Sequence, residues 1–168
     1  GKLYFRDEFI MDAADLALPG EHNLENALAA IAVAKLSAAK NQAIIEVLTS
    51  FSGVKHRLQY LGELAGRKVY NDSKATNILA TEKALSGFEN SRLWLLAGGL
   101  DRGNGFEELA DSVRGIKGMA LFGETAPKLQ ELADHMQIPT VHSENVATAL
   151  KEIFDKTEEG DTILLSPA

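Results

Sequence analysis

The sequence predicts an α/β protein built on a doubly wound, mostly parallel sheet, with a smaller unit ahead of it. Three observations support this. Beyond Gly53, short apolar runs alternate with amphipathic segments of helical period, as expected of strands joined by right-handed helical crossovers that cover both faces of a parallel sheet. The residues before Gly53 lack that alternation. A chain of 168 residues with 45% hydrophobic content is long enough for one core of ordinary domain size and a smaller appended piece. The larger part is therefore Rossmann-like, and in such sheets ligands bind beyond the carboxyl ends of the strands.

Taken in order, residues 3–18 mix aromatic and β-branched residues with acids and end at the turn signal Pro19-Gly20, which predicts one or two short strands. A helix follows over 23–40, with Asn23 as its N-cap, Leu24, Leu28 and Ile31 at helical spacing and alanines between Ala27 and Ala34 favouring the conformation. A second helix over 41–51 stops at Ser52-Gly53, and residues 52–57 form the only linker candidate. The expected strands beyond it are 68–71, 92–97, 119–122, 140–142 and 162–166, with helices at 77–86, 106–114, 126–136 and 146–156. The segments after these strands are Asp72-Ser73-Lys74, Gly98-Gly99, Gly123-Glu124 and Ser166-Pro167. The last strand runs straight into Pro167-Ala168, so the chain is expected to be cut there, because chemistry belongs in strand-end loops.

Composition excludes several functions. Acids outnumber bases 24 to 17 for a net charge of −7, and no basic run is present, so nucleic acid is not an expected partner. Without cysteine there are no disulfides, thiolate metal sites or cysteine nucleophiles. The most apolar stretch, from Leu93 to Leu100, is too short to cross a bilayer, and no signal segment opens the chain. A cytoplasmic protein without membrane insertion is expected, and we take it to be a monomer.

Four polar segments are candidates for chemistry. In Asn71-Asp72-Ser73-Lys74-Ala75-Thr76-Asn77, Ser73 or Thr76 can cap a helix while Lys74 is a solvated charge. Alternatively Asp72 accepts from a ribose hydroxyl or approaches a metal, and Lys74 with the helix N-terminus attracts an anion. In Gly20-Glu21-His22-Asn23-Leu24-Glu25-Asn26, Asn23 and Asn26 share a helical face and supply donors and acceptors suited to an adenine edge. The competing reading, favoured on spacing alone, is a cap and a surface residue. His22 has no paired ligand spacing for a metal. Gly53-Val54-Lys55-His56-Arg57 is either a polar linker or a place where Arg57 forks onto phosphate oxygens. Ala97-Gly98-Gly99-Leu100-Asp101-Arg102-Gly103-Asn104-Gly105 matches neither nucleotide-loop signature, yet it lets a ligand approach, with Arg102 as its anchor. His135 and His142 read as structural or exposed, and there is no local catalytic triad or nucleophile elbow.

The ordered set of the first three segments resembles the muramyl ligase family over about residues 2–168, and the Asn-Asp-Ser-Lys-Ala-Thr-Asn run is similar to its D-glutamate-adding branch. The resemblance implies part of an ATP-dependent amide ligase of peptidoglycan synthesis. That enzyme joins D-glutamate to UDP-N-acetylmuramoyl-L-alanine through an acyl phosphate, and this part alone would be inactive. Residues 1–52 would be the tail of the central ATP-binding domain and 53–168 the carboxyl-terminal ligase domain, short at its end. His22, Asn23, Asn26, Arg57 and Asp72 would face ATP. Lys74, Thr76, Arg102 and Ser166 would face the amino-acid substrate, with arginine at 102 where some members carry lysine. No catalytic set is complete within the chain. ATP and Mg2+ are the implied cofactors, held mainly by a P-loop domain outside this chain, and no metal site is expected here. The alternatives are another ligase of the family, such as a folylpolyglutamate synthase, or a non-catalytic nucleotide-binding domain. The Ser73-Lys74-Ala75-Thr76 run speaks against the folate branch.

Overall fold

A computed structural model describes residues 1–18, 20–103 and 105–168, and only the backbone of Glu21. Pro19 of the expected turn and Asn104 of the glycine-rich loop therefore lie outside the described residues. The chain divides into two compact units, Gly1–Gly53 and Val54–Ala168. Among the described residues no helix is long and apolar enough to cross a membrane.

In the first unit, strands β1 (Lys2–Phe5) and β2 (Glu8–Asp12) pair antiparallel around Arg6-Asp7, with a bulge between Leu3 and Tyr4. Two helices follow, α1 (Glu21–Leu36) and α2 (Asn41–Ser50). Leu3, Ile10, Met11, Ile31 and Ile44 form their common core. A polar clamp ties the same elements together. Lys35 pairs with Glu8 at 2.7 Å, Asn41 accepts from Lys35 at 2.8 Å and donates to Glu8 at 2.9 Å. The hydrogen bond from Lys35 holds the Glu8 carboxyl below its usual range.

Both ends of α1 differ from expectation. The N-cap is Gly20, at φ 106°, whose carbonyl accepts from the Asn23 and Leu24 amides at 3.1 Å. Asn23 is thus inside the first turn and does not cap it. Glycine reaches a backbone angle here that asparagine would adopt only with strain. At the other end Ala38 is left-handed at φ 59°. Its amide returns to the Lys35 carbonyl and that of Ala39 to Ala34, a Schellman closure that stops the helix before the expected residue 40.

The second unit carries a six-stranded sheet ordered β3-β4-β8-β5-β6-β7. Its strands are β3 (Gln59–Leu64), β4 (Arg67–Asn71), β5 (Leu93–Gly99), β6 (Gly118–Gly123), β7 (Thr140–Ser143) and β8 (Thr162–Leu165). All neighbouring pairs are parallel except the β3–β4 hairpin. Helices α3 (Ile78–Leu85), α4 (Ala126–His135) and α5 (Val146–Phe154) are the crossovers. The central strands send alternate residues to two cores. Leu93, Leu95, Ala97, Met119, Leu121 and Leu164 pack against the α3 and α4 side, whereas Trp94, Leu96, Ala120, Phe122 and Ile163 meet α5. Burial on both faces explains why these strands read as continuous apolar runs.

Two further findings depart from the sequence reading. β3 was not expected, because Tyr60, Leu61 and Leu64 are exposed on this edge strand and Gly62 sits at its bulge. The strand is held by its hairpin, in which Ala65 (φ 45°) and Gly66 (φ 77°) turn the chain with the paired positive angles of a type I′ turn. The helix expected at 106–114 is instead a 3-10 turn at Glu107–Ala110 followed by further turns. Phe106, Leu109, Val113 and Ile116 are all buried in the core, and Gly115 at φ 76° ends the segment. Burying these four side chains does not require a regular helix, whose formation is marginal at this length.

Candidate functional site at the carboxyl ends of the strands

β4, β8, β5 and β6 end side by side, and the segments after them build the site. The end of β8 is stitched into place on both sides. Asp72 donates its amide to Leu165 at 2.8 Å, Ser166 to Leu96 at 3.1 Å, Gly98 to Pro167 at 3.1 Å and Ala168 to Ala75 at 3.3 Å. On its other side Gly98 passes β6 so closely that a Cβ there would collide with the Phe122 carbonyl.

The polar run after β4 is an ordered loop. Asn71 accepts the Ser73 amide at 3.0 Å, the Ala75 amide returns to the Asp72 carbonyl at 2.8 Å, and Asn77 caps α3 by accepting from Ala80 at 2.9 Å. The cap is therefore Asn77, not Ser73 or Thr76. Asp72 points inward and is 4% exposed. Its Oδ1 accepts the Leu58 amide at 2.9 Å, and its Oδ2 lies 3.3 Å from the Ser166 hydroxyl. Ser166 is fully buried and also lies 3.0 Å from the Thr81 hydroxyl. Asp72 and Ser166 thus sit beneath the site, bonded to each other, while Lys74 and Thr76 are exposed above them.

Residues 54–58 fold onto this loop. The Lys74 amide donates to the His56 carbonyl at 3.0 Å, and the Asn71 carboxamide is 3.1 Å from His56 Nδ1. Arg57 is exposed between two left-handed residues, His56 (φ 69°) and Leu58 (φ 41°). Backbone angles of this kind cost on the order of 1 kcal/mol each or more and cluster at functional loops. The sheet therefore gathers the cations Arg57 and Lys74 on one loop cluster, although they are separated in sequence by the whole β3–β4 hairpin.

The loop after β5 is pinned to the start of α4. The Glu124 amide donates to the Gly99 carbonyl at 2.8 Å and that of Thr125 at 3.2 Å. The Asp101 amide reaches Glu124 at 3.1 Å, and Lys128 pairs with the Asp101 carboxylate at 2.8 Å. The hydrogen bond from Lys128, with a second from the Gly103 amide, holds the Asp101 carboxyl below its ordinary range. Beside this loop is a shallow depression, open to solvent and lined by Thr76, Leu100, Asp101, Arg102, Phe106, Thr125 and Ala168. Thr76 and Arg102, which lie in different predicted segments, meet here. The sequence reading passed over Thr125 and Phe106. A threonine followed by Ala126-Pro127 at a strand-to-helix junction is a helix-start signal that points to Thr125.

His22, Asn23 and Asn26 stand on the first two turns of α1 in the other unit, with Asn26 exposed and the other two partly so. Among the described residues no group of three or more His, Asp or Glu is placed to hold a metal ion.

Residues 56–168 match the family described as Mur ligase, glutamate ligase domain. The chain belongs to the Mur ligase family. It is 71% identical over all 168 residues to a protein of Lactococcus lactis subsp. cremoris (strain SK11) named UDP-N-acetylmuramoylalanine–D-glutamate ligase. It is 60% identical over 169 aligned positions to the protein of that name from Enterococcus faecalis. In both comparisons it spans 37% of the relative's length. Among solved structures, a Mur ligase of Acinetobacter baumannii, MurF, superposes with a TM-score of 0.73 at 19% identity, over 96% of this chain and 37% of that one. At that identity the likeness speaks for the fold, and it agrees with the mixed, mostly parallel sheet seen here.

Proposed function

We propose that this chain is the carboxyl-terminal part of an ATP-dependent ligase that joins D-glutamate to UDP-N-acetylmuramoyl-L-alanine in peptidoglycan synthesis. The observation that carries this reading is 71% identity over the whole chain with a protein named for that reaction. The site chemistry supports it. A carboxylate is a poor electrophile until a good leaving group replaces its oxygen, so ATP first converts it to an acyl phosphate, which the amine of D-glutamate then attacks. Little covalent chemistry falls to the protein, whose task is positioning and charge neutralisation.

In this reading Arg57 and Lys74 present cations to phosphate oxygens and to the incoming amino acid. Thr76 and Arg102 take the carboxylates of D-glutamate at the depression, with arginine offering a bidentate fork. Asp72 and Ser166 act from below by holding both loops in register. On the first unit, Asn23 and Asn26, with His22 beside them, meet the adenine side of ATP. The P-loop and the ligands of Mg2+ come from residues outside this chain. We further propose that the enzyme works in the cytoplasm as a monomer on small-molecule substrates, without nucleic acid.

The test is to supply the full-length ligase with ATP, Mg2+ and UDP-N-acetylmuramoyl-L-alanine and offer D-glutamate, L-glutamate or L-lysine. Amide formation is expected with D-glutamate in clear preference, and no phosphate release above background is expected from residues 1–168 alone. Equal use of L-lysine or L-glutamate overturns the substrate assignment, and full turnover by this chain alone overturns the division of labour.

A further inference from the structure

We infer that the hydroxyl of Thr125 is an additional carboxylate ligand in the amino-acid subsite, a role that rests on the D-glutamate reading above. Thr125 lines the depression with Thr76 and Arg102 and is 5% exposed, and its Oγ1 has no hydrogen-bond partner among the described residues. A buried hydroxyl left unpaired is costly, and such atoms are rare enough in folded proteins to need an explanation.

Its backbone accounts for the vacancy. Thr125 occupies the N-cap of α4, where threonine ordinarily accepts from an amide of the first turn. Asn77 and Asn145, the caps of α3 and α5, do so from extended backbone, at φ −157° and −156°. Thr125 is at φ −83°, ψ −5°, already helical, and makes no cap bond. Its amide is committed to the Gly99 carbonyl and its own carbonyl to the Leu129 amide, so that backbone is locked. The hydroxyl is released from capping and kept beside the depression. One χ1 step exchanges the methyl and the hydroxyl, which lets it turn toward an arriving acceptor.

The surroundings favour an anion as that acceptor. The start of α4 contributes the positive end of its dipole. Of the charged groups here, Asp101 is neutralised by Lys128, and Glu124 is held on the Asp101 amide. Arg102 makes no ion pair or hydrogen bond among the described residues. A carboxylate seated in the depression would thus meet Arg102, the Thr76 hydroxyl and the Thr125 hydroxyl together. With two hydroxyls as neutral donors and arginine supplying the charge, the subsite fits a planar carboxylate, and binding it gives the orphan hydroxyl its bond.

The experiment uses the full-length ligase and three variants, Thr125→Val, Thr125→Ser and Thr125→Asp. Thr125→Val keeps the shape and removes the hydroxyl. It should raise KM for D-glutamate about tenfold or more, the worth of a hydrogen bond to a charged group, while KM for ATP and the melting temperature stay as they were. Thr125→Ser should restore the wild-type KM. Thr125→Asp cannot cap from this helical backbone, but it sets a charge at the start of α4 that repels a carboxylate, so it should raise KM for D-glutamate further. Should Thr125→Val fold poorly, the aspartate variant still decides the matter. An unchanged KM for D-glutamate in either variant, in an enzyme that turns over D-glutamate, overturns the role of Thr125 and leaves the function intact. Failure of the wild-type enzyme to use D-glutamate overturns both.

Discussion

Asp72 was expected among the ATP contacts, yet the structure buries it, and replacing it separates a ligand from a loop fastener. In Asp72→Ala the Leu58 amide loses the carboxylate that accepts it at 2.9 Å, and Ser166 loses one of its two partners, at 3.3 Å, while keeping Thr81. A hydrogen bond to a charged group is worth about 1.5–3 kcal/mol, and the longer second one adds about 0.5–1, so the loss should be about 3 kcal/mol. Asp72→Asn keeps an acceptor for Leu58 and turns an amide toward Ser166, and should cost about 1 kcal/mol. The assay is urea unfolding followed by Trp94, the chain's one tryptophan, which is buried in the second unit and so reports that unit. With a urea slope of about 2 kcal/mol/M, the alanine variant should unfold about 1.5 M earlier than the wild type and the asparagine variant about 0.5 M earlier. An alanine variant that unfolds with the wild type would refute the structural role and return Asp72 to the ligand.

Further outcomes follow from other contacts in the second unit. Lys117 pairs with Asp161 at 2.8 Å, and Asp161 is fully buried, so Lys117→Met leaves a buried carboxylate held, among the described residues, by the Glu158 amide alone and should cost about 2–4 kcal/mol by the same fluorescence assay. A loss under about 1 kcal/mol, the range of exposed pairs, would contradict it. The hydrogen bonds from Lys117 to Asp161 and Glu158 raise its pKa above the ordinary 10.5, so this stabilisation is complete below that pH. It fades only as pH climbs through the raised value, and a wild-type minus Lys117→Met difference that already falls between pH 7 and 9 would oppose the assignment. In the full-length ligase, Lys74→Ala should raise KM for D-glutamate or ATP with the melting temperature unchanged, because its side chain is exposed and only its amide holds the loop. A variant that melts several degrees lower with normal kinetics would show that Lys74 serves structure alone.

The sheet was legible because its central strands are apolar on both faces and its crossovers keep the helical period. The parts that were missed lack either signal. β3 is an exposed edge strand held by a hairpin turn at Ala65-Gly66, and its side chains alternate toward no core. Residues 106–116 have a helical pattern because Phe106, Leu109, Val113 and Ile116 must all reach one core, and the chain meets that requirement with a 3-10 turn and further turns. Periodicity reports which residues are buried; it does not report whether the backbone between them is a regular helix. The start of α1 shows the same limit at single-residue scale, since Gly20 and Asn23 are both acceptable caps by type and the left-handed backbone at Gly20 decides between them.

In the candidate site, the sequence marks polar segments after the strands, and the structure shows which of their residues are buried. Asp72, Lys74 and Thr76 are neighbours in one polar run, but the loop turns Asp72 down onto Ser166 and leaves the other two above. Burial therefore splits the expected ligands into an exposed layer, Lys74 and Thr76, and a buried layer, Asp72 and Ser166, bonded beneath it. The division has a physical reason. A buried carboxylate that accepts an amide and a hydroxyl can lock β8 to the β4 loop, whereas a cation intended for a mobile anion must keep its head in water until the ligand arrives. Thr125 lies at the boundary of the two layers, buried like Asp72 but unpaired unlike it. No residue pattern discloses that state, because it depends on a backbone already helical at φ −83°, ψ −5° denying a threonine the cap its sequence position advertises.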